Sequence, residues 1–545
     1  MAITAHRDTF ARDHLPPPEQ WPDLVFELPE LQFPERLNCA AELLDRWVAQ
    51  GQGERPCVQG LHLGEWVCWS YAELQAQANR IAHVLVREMG VQPGNRVLLR
   101  GANSPMMAAC WFAVMKVGAI AVATMPLLRA KELGQVIQKA QVSHALCDAR
   151  LAEELVLAGS QCPELRELVY YGGDGDAALQ ARAQRQPAHF DTVDTAADDC
   201  CIIAFTSGTT GQPKGTMHFH RDVMAICRCW PPHCLRPNAD DIFIGSPPLA
   251  FTFGLGGLLL FPLSVGASTV LLEKASPDQL LPAIARHRAT VCFTAPTSYR
   301  AMAGEVNRHD IASLRKCVSA GEALPAATRQ LWKDATGIEL IDGIGATELL
   351  HIFVSHDEHN ARPGATGKPV PGYRACILDD DGRPLPPGQV GRLAVKGPTG
   401  CRYLADERQQ AYVQNGWNLT GDAYLMDEDG YFVYQARTDD MIISGGYNIA
   451  GPEVEACLLA HPAVAECGVI GVPDEARGQI VKAVVVLKPG VQAELTQDPV
   501  LIRALQDFVK ASIAPYKYPR AIEFRASLPR TETGKLQRFR LRESA

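Results

Sequence analysis

Short apolar runs alternate with segments of helical periodicity over roughly the first 440 residues of the chain. Residues 95–101 (NRVLLRG) and 119–125 (AIAVATM) are typical of buried strands, and residues 105–118 (PMMAACWFAVMKVG) between them predict a helix. The same order recurs over residues 268–295 (STVLLE, PDQLLPAIARHRA, TVCFTA). This alternation predicts an α/β fold of parallel-rich sheets with crossover helices.

The pattern changes towards the C-terminus. Between about residues 372 and 436, strand-like runs such as GRLAVKG are separated by turn signals such as DDDGRPLPPG, which predicts a small β-rich subdomain. Helical segments at 452–462 and 498–513 then accompany two apolar runs, CGVIGVP and VKAVVVLK, and predict a small α+β domain. We therefore expect an N-terminal domain over residues 1–438 and a C-terminal domain over residues 439–545.

One long stretch resembles a membrane span. No charged residue occurs between Gly245 and Leu272, but prolines and glycines interrupt the stretch repeatedly. A buried loop, helix and strand inside a large core explain this pattern better than a spanning helix does, so we expect no membrane association.

Composition narrows the class of protein. A chain of 545 residues exceeds one hydrophobic core, and 47% hydrophobic with 21% charged residues is typical of a soluble globular protein. A net charge of −9 argues against a general nucleic-acid binder. The first 21 residues lack the apolar core of a secretory signal, so we expect a cytoplasmic protein whose 17 cysteines are reduced.

Four possible zinc ligands, Cys227, Cys229, His233 and Cys234, lie close together in the sequence. Their C-x-C spacing differs from that of common zinc sites, and no second ligand pair follows at a usual distance. We therefore do not expect zinc there.

Residues 204–215 (AFTSGTTGQPKG) have the composition of an anion-binding loop. Glycines allow backbone N–H groups to converge, while hydroxyl groups and an ammonium group add donors. The candidate residues are Thr206, Ser207, Gly208, Thr209, Thr210, Gly211 and Lys214. A Walker A loop is excluded because Gln212, not lysine, follows Gly211. The alternative is an ordinary surface hairpin between two strands.

Further motifs accompany this loop: DGIGATE (342–348), TGD (420–422), ARTDDMIISGG (436–446), PRTETGK (529–535), WSYAEL (69–74) and AVMKVGAIAVATMP (113–126). In this order and spacing they resemble the adenylate-forming superfamily of acyl-CoA synthetases, luciferases and peptide-synthetase adenylation domains. The resemblance covers the chain from about residue 40 to 540.

The resemblance implies an ATP- and acyl-binding N-terminal domain and a mobile C-terminal lid domain that carries the catalytic lysine. It also implies a reaction in two halves. A carboxylate first attacks the α-phosphorus of ATP, with Mg²⁺ bound, and gives an acyl-AMP and pyrophosphate. The thiol of coenzyme A then attacks the acyl carbon and releases AMP.

The resemblance also assigns roles to particular residues. Thr206, Ser207, Thr209 and Lys214 would hold the β- and γ-phosphates, Thr347 the α-phosphate and Glu348 the Mg²⁺ ion. Asp422 and Arg437 would bind the ribose, while Ser319, Ala320, Gly321, Glu322, Asp342, Gly343 and Ile344 would surround the adenine. Lys535 would reach the carboxylate and the α-phosphate. Many family members have an aromatic residue in place of Ile344, so stacking on the adenine is not expected here.

The resemblance places the interdomain hinge at Asp439, and Gly445 and Gly446 would let the pantetheine arm pass close to the backbone. The residues alone leave other interpretations open. Glu348 and Asp422 read equally well as solvated loop acids, Asp439 as part of a turn, and Lys535 as part of an exposed basic tail.

The acyl pocket is expected around residues 246–257 (SPPLAFTFGLGG) and after Glu348. The candidate pocket residues are Phe251, Thr252, Phe253, Gly254, Gly345 and His351. The alternative for the two phenylalanines and for His351 is a role in core packing.

DGIGATELLHIF and FPLSVGA resemble the benzoate-CoA ligase group, and NRVLLRGANSPMMAACWF and TMPLLRAKEL resemble its 2-aminobenzoate-CoA ligase branch. We therefore expect an aromatic carboxylic acid, ATP and CoA as partners of a monomer or homodimer. A medium-chain acyl-CoA synthetase, an adenylation enzyme that loads a carrier protein and a non-catalytic nucleotide sensor are the alternatives.

Overall fold

A computed structural model describes residues 3–206, 213–444, 447–474, 477–491, 498–513, 515–530 and 536–543. These residues form four β-sheets with helices packed between and around them. The predicted α/β class with a smaller C-terminal α+β unit is confirmed.

A six-stranded sheet carries the candidate anion loop. Its strands, in spatial order, are Glu167–Tyr171, His144–Asp148, Arg96–Arg100, Ile120–Thr124, Cys200–Thr206 and Lys214–Phe219. The first five are parallel, and the sixth returns antiparallel to the fifth as a hairpin. Helices Pro105–Lys116 and Ala130–Ala140 are crossovers of this sheet, as the alternating pattern predicts.

A nine-stranded sheet lies beside it. Its strands, in spatial order, are Lys368–Pro369, Ile352–Ser355, Leu340–Gly345, Lys316–Ala320, Val291–Thr294, Ile242–Gly245, Ser268–Leu271, Pro56–His62 and Glu65–Ser70. The predicted strands near 268 and 291 are present and joined by helix Pro277–His287, but Ile242–Gly245 is inserted between them.

Two five-stranded sheets complete the fold. The first consists of Arg374–Leu378, Val390–Lys396, Val413–Gln414, Trp417–Met426 and Phe432–Arg437, within the segment predicted to be β-rich. The second consists of Ile442–Ser444, Tyr447–Ile449, Val464–Asp474, Gly478–Leu487 and Ala521–Phe524, and helices Gly451–Leu459, Pro499–Ser512 and Arg538–Glu543 accompany it. The predicted domain boundary falls in the 3₁₀ turn Thr438–Asp440 and stays a prediction.

The remaining α-helices are Phe10–Asp13, Arg46–Ala49, Tyr71–His83, Ala152–Gly159, Leu179–Gln184, His220–Trp230, Thr252–Leu255, Phe261–Ser264, Pro296–Ala303, Ala326–Thr336 and Gln409–Tyr412. The uncharged stretch from Gly245 to Leu272 contains two of them and strand Ser268–Leu271, and most of its side chains are buried. In the part of the chain described, no helix is both long and apolar enough to cross a bilayer.

Residues 402–404 cover the free edge of the hairpin. The Met217 amide donates to the Arg402 carbonyl, and the Leu404 amide donates to the Gly215 carbonyl, both at 2.8 Å. Beneath these bonds, Arg402 Nη1 donates to Asp222 Oδ2 at 2.7 Å, and both side chains are fully buried. The cover is therefore fixed to the hairpin by backbone bonds and by a buried ion pair.

We predict that Asp222→Asn strongly destabilises the fold. The change preserves shape but leaves the Arg402 guanidinium buried without its counter-charge, which costs roughly 3–5 kcal/mol. The measurement is urea unfolding of the variant and the wild type. Asp507→Asn is the control, since it removes an exposed pair with Lys510 and should cost under about 1 kcal/mol. Equal losses in the two variants would contradict this account of the buried pair.

Candidate active site

Thr206 and Lys214 pair across the two hairpin strands, at the point where the candidate anion loop leaves the sheet. The Thr206 hydroxyl oxygen is buried and has no hydrogen-bond partner among the described residues. The two strands do form a hairpin, as the alternative interpretation holds. A buried hydroxyl without a partner is costly, so a ligand bound at the base of the loop would stabilise it.

Lys214, Tyr403 and Glu348 form a connected polar cluster beside the hairpin. Lys214 Nζ donates to the Tyr403 hydroxyl oxygen at 2.9 Å and lies 3.6 Å from Glu348 Oε1. The Tyr403 hydroxyl in turn donates a short hydrogen bond to Glu348 Oε1. Burial, and next the Glu348 carboxylate, hold the pKa of Tyr403 far above its ordinary value, so the phenol remains a donor.

Glu348 belongs to the 3₁₀ turn Thr347–Leu349, which follows strand Leu340–Gly345. The turn is anchored from the hairpin, since His218 Nε2 donates to the Thr347 carbonyl at 2.8 Å. Gly345, just before the turn, lets the chain pass close to the His351 backbone, because a Cβ there would lie 2.8 Å from the His351 carbonyl oxygen. Two distant parts of the sequence therefore place a cation and a carboxylate side by side.

A second group of candidate residues lies on neighbouring strands of the nine-stranded sheet. Ala320 pairs with Gly343, and Ser319 pairs with Asp342. Asp342 is buried with Oδ1 lacking a hydrogen-bond partner among the described residues, and burial raises its pKa to about 7. Ile344, next along the strand, is half-buried and aliphatic.

The loop after Ala320 contacts the C-terminal part of the chain. Gly321 has a positive φ of 90°, which favours glycine at this position. The Glu322 carboxylate lies 3.5 Å from Arg530 Nη1. The start of the PRTETGK motif is thereby held against the predicted adenine segment.

Asp422 and Arg437 are cross-strand neighbours in the small antiparallel sheet. Arg437 Nη1 donates to Asp422 Oδ1 at 3.0 Å and to the Thr420 carbonyl at 3.1 Å. The Asp422 side chain is largely buried, whereas that of Arg437 is 48% exposed, so the pair is open to solvent on the arginine side.

His351 lies in an aromatic environment. Its ring centroid is 4.4 Å from that of Phe261, 5.8 Å from Phe253 and 5.9 Å from Trp230. A Cβ on Gly256 would lie 2.3 Å from His351 Cδ2, so only glycine leaves room for the imidazole.

The His351 imidazole is neutral, and its hydrogen-bonding capacity is largely unused by the described residues. Burial lowers its pKa to about 3, and the Phe253 carbonyl opposes this only in part. Neither ring nitrogen has a hydrogen-bond partner of adequate geometry in the described part of the chain. Of the other predicted pocket residues, Phe251 and Thr252 are half-buried, and Gly254 is buried within the short helix Thr252–Leu255.

Several predicted residues lie outside the described ones: Ser207, Gly208, Thr209, Thr210, Gly211, Gly445, Gly446 and Lys535. Asp439 is described only as part of the turn Thr438–Asp440. Conversely, Tyr403, Trp230 and Phe293 belong to these clusters without having been predicted. Phe293 lies 5.7 Å from Phe253, centroid to centroid. No local signal distinguishes these aromatic residues from ordinary core residues.

Comparison with known proteins identifies the family. The model of the AMP-binding enzyme family matches residues 44–403, and that of the AMP-binding enzyme C-terminal domain matches residues 453–535. The benzoate-CoA ligase of Thauera aromatica is 34% identical over 522 residues, which cover 95% of this chain and 98% of that protein.

Solved structures give the same result. The anthranilate CoA ligase AuaEII in complex with anthranoyl-AMP superposes with a TM-score of 0.89 at 35% identity, covering 95% of this chain and 99% of that one. A benzoate CoA ligase from Burkholderia xenovorans LB400 gives a TM-score of 0.84 at 30% identity, covering 93% and 99%. The chain therefore belongs to the AMP-binding enzyme family and is an aryl- or acyl-CoA ligase of the adenylate-forming kind.

Proposed function

We propose that the protein is an aromatic carboxylate–CoA ligase that acts on benzoate or 2-aminobenzoate through an aroyl-adenylate. The observation that carries the proposal is the neutral His351, which has no hydrogen-bond partner of adequate geometry among the described residues and is enclosed by Phe253, Phe261 and Trp230. Flat apolar side chains suit an aryl ring, and a neutral imidazole offers one donor or acceptor to a ring substituent. The similarity to benzoate and anthranilate ligases supports the same class of acid.

In the first half-reaction, Lys214 and the loop from Thr206 to Gly211 bind the β- and γ-phosphates, and Thr347 binds the α-phosphate. Phosphoryl transfer depends mainly on positioning and charge stabilisation, which is what these donors supply. Glu348 is suited to bind Mg²⁺, because its nearly buried carboxylate lies beside Lys214, the residue proposed to bind the phosphates. A Mg²⁺ ion held there would supply positive charge next to the pyrophosphate.

The Asp422–Arg437 pair and the group of residues that includes Asp342 hold the nucleoside. Asp422 and Arg437 bind the ribose hydroxyls through a carboxylate and a partly open guanidinium. Asp342 Oδ1, which has no hydrogen-bond partner among the described residues, is available to a nucleobase amino group. The base would also contact Ala320, Gly321, Glu322, Gly343 and Ile344. The aliphatic Ile344 supplies contact area but no ring stacking.

In the second half-reaction, the C-terminal domain turns about Asp439 and presents a different face to the acyl-adenylate. Gly445 and Gly446 then allow the pantetheine arm of CoA to approach, and Lys535 is carried away. The hinge absorbs the backbone change while the two domains move as rigid bodies.

The first prediction concerns the acid. Benzoate or 2-aminobenzoate should give pyrophosphate release and, with CoA present, a thioester, whereas decanoate should be excluded by steric clash. The measurement is kcat/KM over a panel of acids with and without CoA. A higher kcat/KM for decanoate than for both aromatic acids would refute the aryl assignment, and turnover that does not use CoA would favour a carrier-protein enzyme.

His351→Leu sharpens the same experiment, since it keeps apolar volume and removes both ring nitrogens. The ratio of kcat/KM for 2-aminobenzoate to that for benzoate should fall about tenfold, the value of one hydrogen bond to the amino group. An unchanged ratio would show that His351 only packs against the ring.

The second prediction concerns Lys535. The start of its motif is near the site, because Arg530 pairs with Glu322. A cation between the incoming carboxylate and the α-phosphate offsets their repulsion. Lys535→Ala should therefore slow adenylation on the order of 10²–10³-fold, while conversion of synthetic benzoyl-AMP and CoA to benzoyl-CoA stays near normal.

Both half-reactions are measured on the same folded variant. Lys510→Ala, which removes an exposed lysine of the same domain, serves as the control and should affect neither. If Lys535→Ala impairs the second half-reaction as much as the first, the alternation of domains is not supported.

The third prediction concerns Tyr403. Tyr403→Phe removes the hydroxyl that joins Lys214 to Glu348, so adenylation should lose about 10- to 100-fold in kcat/KM. Tyr299→Phe is the control, because its buried hydroxyl bonds the Cys292 and Val318 carbonyls away from this cluster. The loss should be accompanied by a higher Mg²⁺ requirement in Tyr403→Phe only. Comparable activity of the two variants would mean that Tyr403 merely packs.

A further inference from the structure

A cluster of soft donor atoms lies beneath the hairpin that carries the phosphate loop. Cys39, Cys201 and His220 each offer one ligand atom, and these atoms all lie within 4.8 Å of one another. In the part of the chain described, no other group of three histidine, cysteine or acidic side chains meets that condition. All three side chains are fully buried.

The distances within the cluster are short. His220 Nδ1 lies 3.1 Å from Cys39 Sγ and accepts the Cys39 amide at 3.2 Å. Met115 adds a third sulfur atom and a fourth donor, because Cys39 Sγ lies 3.5 Å from Met115 Sδ. Bonds of about 2.3 Å to sulfur and 2.0–2.1 Å to nitrogen in a tetrahedron require donors roughly 3.5–3.8 Å apart. The cluster therefore needs only small side-chain movements to surround one ion.

His220 makes few hydrogen bonds of its own. His220 Nε2 is buried and has no hydrogen-bond partner among the described residues. Among the described residues the imidazole contacts only the Cys39 amide and thiol, both through Nδ1, so few bonds hold this nitrogen away from an ion. Two thiols, an imidazole and a thioether bind thiophilic cations in preference to Mg²⁺, which prefers oxygen ligands.

We propose that Cys39, Cys201 and His220, with Met115 beside them, bind a single thiophilic d¹⁰ cation, Zn²⁺ or Cu⁺, at a site separate from the nucleotide-binding residues. Binding exchanges the two thiol protons, which are released, for metal–thiolate bonds. Coordination through Nδ1 also exchanges the Cys39 amide bond for a bond to the cation.

The positions of the ligands define what the ion would do. Cys201 lies on strand Cys200–Thr206, which leads into the phosphate loop, and His220 directly follows the return strand Lys214–Phe219. Cys39 comes from a helix near the N-terminus, and Met115 from helix Pro105–Lys116. One ion would thus join both strands of the hairpin to the N-terminal region and hold the base of the loop in place.

The test uses the purified full-length protein, reduced and prepared without a metal-affinity step. Its zinc and copper contents are measured by mass spectrometry, and Zn²⁺ and anaerobic Cu⁺ are then titrated in separate arms against chromophoric chelators. We expect one tightly held cation per chain in one arm, with a raised Tm. Co²⁺ substitution should also give the charge-transfer absorption of thiolate ligands.

Variants assign the site. Cys39→Ser, Cys201→Ser and His220→Gln should each weaken binding at least tenfold and abolish the Tm shift. Cys110→Ser and Cys292→Ser, which change buried thiols outside the cluster, should leave both unchanged. Met115→Leu distinguishes the ions, because the thioether contributes to Cu⁺ binding and little to Zn²⁺ binding.

The proposal is overturned if the wild type takes up neither cation stoichiometrically after prolonged incubation. It is also overturned if uptake survives in every cluster variant that folds, as judged by circular dichroism. Because His220→Gln retains both thiols, it keeps the test decisive should a cysteine variant fail to fold. None of these binding measurements depends on ligase activity, so the proposed reaction stands or fails independently.

Discussion

The site depends on one constraint, which is that charge removed from water must be paired. Glu348 is nearly buried, and it is tolerable there because Lys214 and Tyr403 contact the same carboxylate oxygen. The fully buried ion pair of Asp222 and Arg402 meets the same requirement. Since Tyr403 and Arg402 are adjacent in sequence, one short segment supplies the partners for both carboxylates.

This arrangement couples the candidate site residues to the scaffold. Residues 402–404 form backbone hydrogen bonds with the hairpin. His218 of the hairpin in turn donates a hydrogen bond to the Thr347 carbonyl, in the turn that contains Glu348. A displacement of any of these parts would separate the cation from the carboxylate. Rigid elements hold functional groups more precisely than loops do, and here even the turn is fixed from two sides.

Much of the architecture was predictable because it follows from local pattern. The strands near residues 96, 120, 268 and 291 and their crossover helices occur as the apolar periodicity indicates. The family also followed from the order of the sequence motifs. What could not be predicted depends on contacts between distant segments. One example is the contact of Tyr403 with Lys214, and another is the cluster of Cys39, Cys201 and His220. Spacing along the sequence does not predict either contact.

The cover over the hairpin has a consequence during synthesis of the chain. Strand Lys214–Phe219 closes one edge of the six-stranded sheet, yet residues 402–404, which bond that edge, leave the ribosome much later. Until then the strand exposes unpaired backbone groups beside a buried apolar core, the kind of edge that recruits strands from other chains. Nascent chains therefore pass through an interval of aggregation risk that ends only when the cover arrives.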